Sequence, residues 1–218
     1  MTPDGALFKR EDIEIIDSRV TRIAARVRAW DLAASLTGKR TAGLLLAKTP
    51  NPHVYVVEDV IKGRWLPGDR DAIIRQTAEA DGKHVPIRIE QEPGSGGIAQ
   101  IHAIVSSLAG FNAVGVRVTG DKVTRADPVA AQAGIGRLKA VRGDWVGDFL
   151  SEIETFPSGE YLGQIDALSI AFDFLKDKAP GRSISDWTPK VDANDWRNDV
   201  DIRDAVFSQI NWRDDFPE

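Results

Sequence analysis

Short apolar runs rich in β-branched and aromatic residues alternate with turn signals in the first third of the chain. Three such runs cover residues 22–31, 41–48 and 53–60, and Asn51-Pro52 marks a turn before the last of them. Runs of this length and composition predict β-strands. Because the connections are short, we expect the three strands to pair as an antiparallel meander.

The pattern changes after residue 66, where helical and strand-like segments alternate. The predicted helices are 67–80, 96–108, 128–133, 145–156 and 166–175, and the predicted strands are 85–90, 113–118 and 138–141. Alternation of this kind after a meander favours an α/β fold in which helices flank a mixed sheet. The ribonuclease H-like fold has this arrangement, although other α/β folds share the opening pattern.

The two ends of the chain differ from the middle. Residues 1–18 are predicted to be a lead-in or linker segment, and residues 19–176 form the predicted folded domain. Residues 177–218 are predicted to be an acidic tail that carries three of the six tryptophans, Trp187, Trp196 and Trp212. Since disordered segments are usually poor in aromatic residues, we expect the tail to dock partly on the domain or on a partner.

Composition excludes several classes of protein. The chain has 218 residues and no cysteine, which excludes disulfides, thiolate catalysis and zinc sites built on cysteine. No apolar run approaches the roughly 20 residues of a membrane span, and no signal-peptide pattern is visible. We therefore expect no contact with a membrane, and the lack of cysteine suits a reducing cytoplasm.

The net charge of −5 argues mildly against a general polyanion binder, but the basic residues are unevenly distributed. Between residues 114 and 142 there are six basic residues and two acidic ones, and a second basic cluster comprises Arg19, Arg22, Arg26 and Arg28. Locally basic surfaces of this kind are expected to contact a phosphate backbone. The alternative is a solvated charged face.

Three separated carboxylates stand out as candidate site residues. Asp31 and Glu90 each end a predicted strand, and Asp166 begins a predicted helix. Each acid also has a structural alternative, since Asp31 can cap a turn and Asp166 can be a helix N-cap. Glu92 competes with Glu90, and we favour Glu90 because it ends the strand.

Such a set of acids suits phosphodiester hydrolysis with two metal ions. Two Mg²⁺ or Mn²⁺ ions about 3.5–4 Å apart stabilise the attacking and leaving oxygens of an in-line displacement. These hard ions prefer carboxylate oxygens, and Mg²⁺ keeps several waters, so a few acids suffice. We therefore expect Asp31, Glu90 and Asp166 to converge on one pocket.

At these positions the chain resembles the C-terminal nuclease domain of phage terminase large subunits. The similar segments follow one another in order over residues 5–175: Gly5-Ala6-Leu7-Phe8-Lys9-Arg10, Arg28-Ala29-Trp30-Asp31-Leu32-Ala33, Ile89-Glu90-Gln91-Glu92-Pro93-Gly94-Ser95-Gly96-Gly97, Thr119-Gly120-Asp121-Lys122-Val123-Thr124-Arg125-Ala126, and Phe156-Pro157-Ser158-Gly159 leading to Gln164-Ile165-Asp166-Ala167-Leu168.

The resemblance implies a ribonuclease H-like nuclease domain that cuts concatemeric double-stranded viral DNA during genome packaging. It implies that Asp31 bridges two metal ions, Mg²⁺ or Mn²⁺, and that Glu90 and Asp166 complete the site. Lys122, Arg125 and Arg117 would lie near the DNA; the alternative for Lys122 and Arg125 is that they pair with Asp121 and Asp127. The implied partners are the terminase ATPase portion, the portal and the small terminase subunit, and the implied location is the host cytoplasm.

One position departs from the pattern that the resemblance implies. The family's last motif commonly reads His-Asp-Asp-x-Val-Asp-Ala-Leu, whereas this chain has Gly163 where an acid or histidine is expected and the apolar Leu162 before it. Either Asp166 completes the site or the site is weakened. Two alternatives to an active terminase nuclease follow: a catalytically impaired domain that binds DNA and docks on the motor, and another ribonuclease H-like enzyme such as a resolvase or a strand transferase.

Overall fold

The computed structural model describes residues 7–33 and 39–177, and the strands in these ranges form one mixed sheet. The seven strands are β1 (Glu14–Ile16), β2 (Ala25–Asp31), β3 (Thr41–Lys48), β4 (Tyr55–Gly63), β5 (Ile87–Glu90), β6 (Ala113–Val116) and β7 (Leu138–Val141). Their order across the sheet is β1-β7-β4-β3-β2-β5-β6. The β2–β3–β4 pairs are antiparallel and the remaining pairs are parallel, which confirms the predicted meander followed by parallel strands.

In the same described ranges, five α-helices cover the two faces of this sheet. They are α1 (Pro67–Asp81), α2 (Ser95–Ser107), α3 (Lys122–Gly134), α4 (Val146–Thr155) and α5 (Gly163–Lys176). Helices α1 and α2 pack on one face through residues such as Ile74 and Ile104, whereas α3, α4 and α5 share the core of the opposite face. The fold is the ribonuclease H-like α/β arrangement predicted from the sequence.

The alternation of side-chain directions along β2 decides which face of the sheet the candidate acids lie on. Val27 and Ala29 belong to the core under α5, and Trp30 belongs to the core under α1 and α2. Successive side chains of a strand point to opposite faces, so Asp31 points toward the α5 face. The same rule applied to β5, where Ile89 packs toward α2, directs Glu90 to the α5 face as well.

A large aromatic residue fixes the centre of the sheet. Trp30 is fully buried, and its six-membered ring lies where a Cβ on Gly43 of the neighbouring strand would sit, within 2.4–2.6 Å of three ring atoms. Any larger residue at position 43 would force the ring to move. We infer that Gly43 is required for the close pairing of β2 with β3 beside Asp31.

The first eighteen residues contribute more structure than the sequence predicts. Glu14–Ile16 form the edge strand β1, which pairs in parallel with β7, and the side chains of Phe8 and Ile13 are buried in the core. Phe8 packs edge-to-face on Phe156, with ring centroids 5.9 Å apart. A three-residue strand is too short to show alternation, which is why the pattern did not predict it. The domain boundaries at 18 and 176 stay predictions.

Two helices begin three or more residues earlier than predicted. Helix α3 begins at Lys122 rather than at Pro128, because the Asp121 side chain caps it by accepting a hydrogen bond from the Thr124 N–H at 2.9 Å. Pro128 therefore lies inside the helix instead of opening it. Helix α5 begins at Gly163, so Asp166 lies in its first turn and is not the N-cap residue.

The basic cluster at 19–28 is partly structural, which corrects its interpretation as a phosphate-binding surface. Arg28 is buried and donates to both carboxylate oxygens of Asp81 at 2.7 and 2.8 Å and to Asp59 at 2.8 Å. Arg26 pairs with the buried Glu58. The Arg28 guanidinium is therefore held inside the protein by acids and is not presented to a ligand.

The predicted tail falls almost wholly outside the described residues, which end at position 177. Its docking stays a prediction. Within the ranges 7–33 and 39–177, none of the helices combines the length and the apolar character that crossing a membrane demands.

Candidate active site

The ends of two paired parallel strands bring Asp31 and Glu90 together. Trp30 is in register with Ile89, so the next residue on each strand, Asp31 and Glu90, leaves the sheet at the same edge. Their carboxyl groups are close enough to share a hydrogen bond. Glu92, the competing acid, is exposed in the loop before α2. The two strand-end carboxylates therefore form the base of a candidate site.

Asp166 faces the same site from helix α5. Its side chain is almost fully buried, and its negative charge acts on Asp31. The backbone N–H of Asp166 donates to the carbonyl oxygen of Leu162 at 2.9 Å, which places the residue in the first helical turn. The structure thus brings together all three acids singled out from the sequence.

Lys122 and Arg125 contact these acids directly. They are three residues apart on α3 and hence on one face of that helix. Arg125 donates to Asp166 Oδ1 at 2.8 Å and, more weakly, to Glu90 Oε1 at 3.5 Å, while Lys122 donates to Asp166 Oδ2. The alternative, that they pair with Asp121 and Asp127, does not describe their contacts. Both cations orient Asp166.

The environment of Asp31 raises its pKa well above the usual value for an aspartic acid. Burial is the largest cause, followed by the negative charges of Glu90 and Asp166 and by a hydrogen bond with Glu90 that favours the protonated form. Lys122 opposes these effects only in part. Like charges held this closely are unfavourable unless a proton or a cation lies between them.

This charge arrangement fits a divalent cation at Asp31 and Glu90. Both are oxygen donors of the kind that Mg²⁺ and Mn²⁺ prefer, and a cation would relieve the repulsion that raises the Asp31 pKa. Across residues 7–33 and 39–177, however, no three acidic or histidine side chains are already arranged to hold a metal ion. Both oxygens of Asp166 instead accept hydrogen bonds from Lys122 and Arg125. Asp166 would have to exchange a cationic partner to join the other two acids.

Gly163 lies against the Asp31 carboxylate. A Cβ at this position would be 3.0 Å from Asp31 Oδ2, 3.1 Å from the Arg40 carbonyl oxygen and 3.5 Å from the Ala42 Cβ. The residue that departs from the resembled motif is therefore a first neighbour of the central acid. An acidic side chain here would point at the same site, and glycine leaves that place without a ligand.

Glu152 anchors the helix that carries Asp166, and the sequence analysis did not identify it. Its Oε1 accepts hydrogen bonds from the N–H groups of Gln164 at 2.6 Å and Ile165 at 3.2 Å, and its Oε2 accepts one from Gln164 Nε2 at 2.7 Å. Burial raises the Glu152 pKa, which these hydrogen bonds partly offset. Because the N-cap residue Leu162 has no capping side chain, Glu152 satisfies the first amides of α5. An acid on the buried face of α4, three residues after Phe149, was the available signal.

Asp31 and Gly163 line a cleft, whereas Glu90 and Asp166 do not belong to its lining. Its lining adds several residues that sequence reasoning missed: Lys39, Arg40, Lys62, Glu160 and Tyr161. They lie in loops or at strand ends, where no periodicity marks them. Arg117, predicted to contact DNA, lies elsewhere, in a second cavity of about 380 Å³ that Arg125 also lines.

We expect Asp31→Asn to raise the thermal stability of the protein at neutral pH. Because folding raises the Asp31 pKa, the free energy of unfolding falls as the pH rises from the ordinary aspartate value through the raised one. Asparagine removes this cost, and each kcal/mol relieved raises Tm by about 2–4 °C for a chain of this size. Thermal melts of Asp31→Asn and the wild type in EDTA, at pH 4.5 and pH 8, measure the difference in Tm. If the Tm of Asp31→Asn exceeds that of the wild type by no more at pH 8 than at pH 4.5, charge repulsion at Asp31 is refuted.

We expect Glu152→Ala to destabilise the protein by about 1–3 kcal/mol, because buried amides of α5 lose their acceptor. Urea unfolding measures the change. Glu152→Gln keeps one acceptor oxygen and should lose less. Glu154→Ala, which removes only an exposed ion pair with Arg10, is the matched control and should change the free energy of unfolding by less than about 0.5 kcal/mol. Equal losses in the Glu152→Ala and Glu154→Ala variants would refute the anchoring role.

Comparison with known families gives one match, and it covers the whole of this site. The sequence matches the family described as "Terminase RNaseH-like domain" over residues 28–174, a range that includes Asp31, Glu90 and Asp166. No curated protein sequence matches the chain closely enough to count as a relative. The match spans β2 to α5 and so includes every element that contributes an acid.

Solved structures of terminase nucleases share the fold. The large terminase nuclease domain of phage P22 superposes with a TM-score of 0.59 and 14% identity, covering 84% of this chain and 98% of that one. The large terminase nuclease of thermophilic phage G20c with bound magnesium gives 0.56 and 12%, covering 77% and 96%. The nuclease domain of the phage SPP1 large terminase with bound Mn gives 0.56 and 12%, covering 77% and 98%. At these identities the likeness establishes the fold.

Proposed function

Because this chain belongs to the terminase RNase H-like domain family, we propose that it is the metal-dependent endonuclease domain of a phage terminase large subunit. Its substrate would be concatemeric double-stranded viral DNA, cut during genome packaging. The observation that carries the proposal is the contact between the Asp31 and Glu90 carboxyl groups at the ends of paired parallel strands, with Asp166 facing them from α5.

The residues of the site have distinct roles in this proposal. Asp31 and Glu90 would hold the metal, and Asp166 would provide the third carboxylate. Divalent cations held there, Mg²⁺ or Mn²⁺, would supply Lewis-acid chemistry for activating a water and stabilising the leaving oxygen. Arg125 keeps Glu90 and Asp166 in a fixed relation through its two hydrogen bonds. Once its ion pair with Asp166 is broken, Lys122 would be placed to contact a phosphate oxygen beside the site.

A second function is favoured by a specific observation, the position of Gly163 against Asp31. The absence of an acid at this position would weaken metal binding. The chain would then act as a DNA-binding domain that docks on the packaging motor. This alternative predicts DNA retention that is sensitive to salt, without cutting. Contacts to phosphates account for the salt dependence and imply little sequence preference.

The proposed setting follows from the same family. Partners would be the terminase ATPase portion, the portal and the small terminase subunit, acting together in the host cytoplasm. The known structures that support it are described as large terminase nucleases, including one with bound magnesium and one with bound Mn.

Plasmid cleavage tests the enzymatic proposal. Supercoiled plasmid incubated with purified protein and Mg²⁺ or Mn²⁺ should become nicked and then linear, and EDTA should prevent both products. Protein that never cuts over a range of metals and salt concentrations would refute the enzymatic proposal for this chain. Preferential resolution of four-way junctions over linear duplex would instead favour a resolvase-like enzyme.

A further inference from the structure

Two arginines lie side by side at the open end of the β3–β4 pair, next to the candidate active site. Thr41 is in register with Gly63, so Arg40 and Arg64 are the next residues on the two strands. Like charges directly opposite each other on paired strands are unfavourable. Their placement requires a compensating group, and the sequence spacing of 24 residues gave no hint of it.

One group that stabilises this pair is the ring of Tyr161. The Arg40 guanidinium carbon lies 4.4 Å from the ring centroid and that of Arg64 lies 5.6 Å from it. Arg64 Nη2 also donates a hydrogen bond to the Tyr161 hydroxyl oxygen at 3.1 Å. Guanidinium groups stack favourably on aromatic faces. Arg40, Tyr161 and Arg64 thus form a layered arrangement, which we call the arginine–tyrosine stack.

The stack is part of the rim of the active-site cleft. Arg40 and Tyr161 line the cleft together with Asp31 and Gly163. Lys39, Lys62 and Lys122 also line the cleft, and its acids are Asp31, Glu152 and Glu160; Asp148, which pairs with Lys62, lies beside them. With Arg40 and Arg64, five basic groups stand against four acidic ones, so the charge here is slightly positive although the whole chain is acidic.

The cations closest to the acids are already engaged in ion pairs. Lys122 and Arg125 are held by Asp166 and Glu90, as described above. Positive charge for holding a polyanion across the cleft must therefore come mainly from other residues. Stacked guanidinium groups are already oriented, so they lose less rotamer freedom on binding a phosphate than mobile side chains would.

We propose that the arginine–tyrosine stack is a phosphate clamp, which binds the DNA backbone beside the phosphodiester that is cut. This inference rests on the proposed function for the identity of its ligand. The Arg40 guanidinium offers a planar pair of N–H donors that matches two oxygens of one phosphate, and Arg64 adds its positive charge beside it. The clamp would hold the strand in register with Asp31 and would read no base.

DNA binding without cutting tests the clamp. Fluorescence anisotropy of the full chain with a labelled 25-base-pair duplex is measured in EDTA from 25 to 200 mM salt. We expect Arg40→Ala/Arg64→Ala to weaken binding at least about tenfold and to reduce the slope of log K against log salt by about 2, because each lost phosphate contact removes about 0.9. Arg75→Ala/Arg142→Ala, which removes two exposed arginines engaged in surface ion pairs, is the matched control with the same change of charge.

Tyr161 variants separate a clamp from a simple excess of charge. Tyr161→Ala keeps both arginines but removes the ring that orients them, so we expect weaker binding with an unchanged salt slope. Tyr161→Phe keeps the ring and should bind nearly as the wild type does. Equal affinity and slope in the Arg40→Ala/Arg64→Ala variant and its control would overturn the clamp.

The two proposals fail separately. Weaker DNA binding by the clamp variants, in a protein that never cuts plasmid, would support the clamp and refute the nuclease. Plasmid cutting by the wild type, with clamp variants that bind DNA as the control does, would refute the clamp and support the nuclease.

Discussion

Replacing Asp31 with alanine is expected to abolish metal-dependent cutting of plasmid DNA, with a loss of about a thousandfold or more. Asp31 ends the central strand β2 and contacts Glu90, so it would be shared by any cations bound in the cleft. Metal ions contribute several kcal/mol of transition-state stabilisation, and each 1.36 kcal/mol is a factor of about ten in rate. The measurement is the rate of conversion of supercoiled plasmid in Mn²⁺.

Two controls make this result specific to the site. Glu79→Ala removes an exposed acid from α1 that pairs only with Arg75, and it should cut as the wild type does. Thermal melts should show that Asp31→Ala is folded, because loss of the repelled carboxylate does not remove a stabilising charge. Cutting that persists in the Asp31→Ala variant would show that the activity, if present, arises elsewhere or from a contaminant.

Introducing an acid at position 163 is expected to increase cutting at least about tenfold and to tighten metal binding. A Cβ there already lies 3.0 Å from Asp31 Oδ2, so the carboxylate of Gly163→Asp would join Asp31 and Glu90 as a third oxygen donor. Its place in the first turn of α5 is favourable for a negative charge. In EDTA the added charge repels Asp31 and should lower Tm, whereas Mn²⁺ should raise Tm more than it does in the wild type.

Gly163→Asn is the matched control, because it has nearly the same volume and no charge. The Cβ contacts with the Arg40 carbonyl oxygen and Ala42 are tight, so both variants share the cost of fitting a side chain. Only the aspartate should gain activity and metal affinity, as measured by plasmid cleavage and by calorimetric titration with Mn²⁺. Equal behaviour of the two variants would mean that Asp166 already completes the site.

Much of the fold was predictable because its elements carry strong local signals. The β3 run Gly43-Leu44-Leu45-Leu46 and the aliphatic positions of β5 indicated strands, and their short and long connections indicated antiparallel and parallel pairing. The start of α3 was missed because Pro128 looked like a first helical residue, while the real signal was the capping side chain of Asp121. Edge strand β1 was missed because three residues are too few to show a period.

The candidate site was predictable only in part. Asp31 and Glu90 were visible because strand ends are where functional side chains of parallel sheets meet. The partners of Asp166 were not visible, because the contact with Lys122 and Arg125 joins residues more than 40 positions apart. Arg28 shows the opposite error: its charge suggested a surface, whereas Asp59 and Asp81 hold it inside the protein.

The amino-acid sequence alone determined the order of strands and helices from β2 onward, the absence of cysteine chemistry and the identity of three acids. Those properties depend on residue type and short spacing, which a chain carries before it folds. Only the tertiary structure decided that Asp31 and Glu90 touch, that Gly163 lies against Asp31, and that Arg40 and Arg64 share the ring of Tyr161. Such contacts follow from strand register and helix placement, which the packing of the whole core determines.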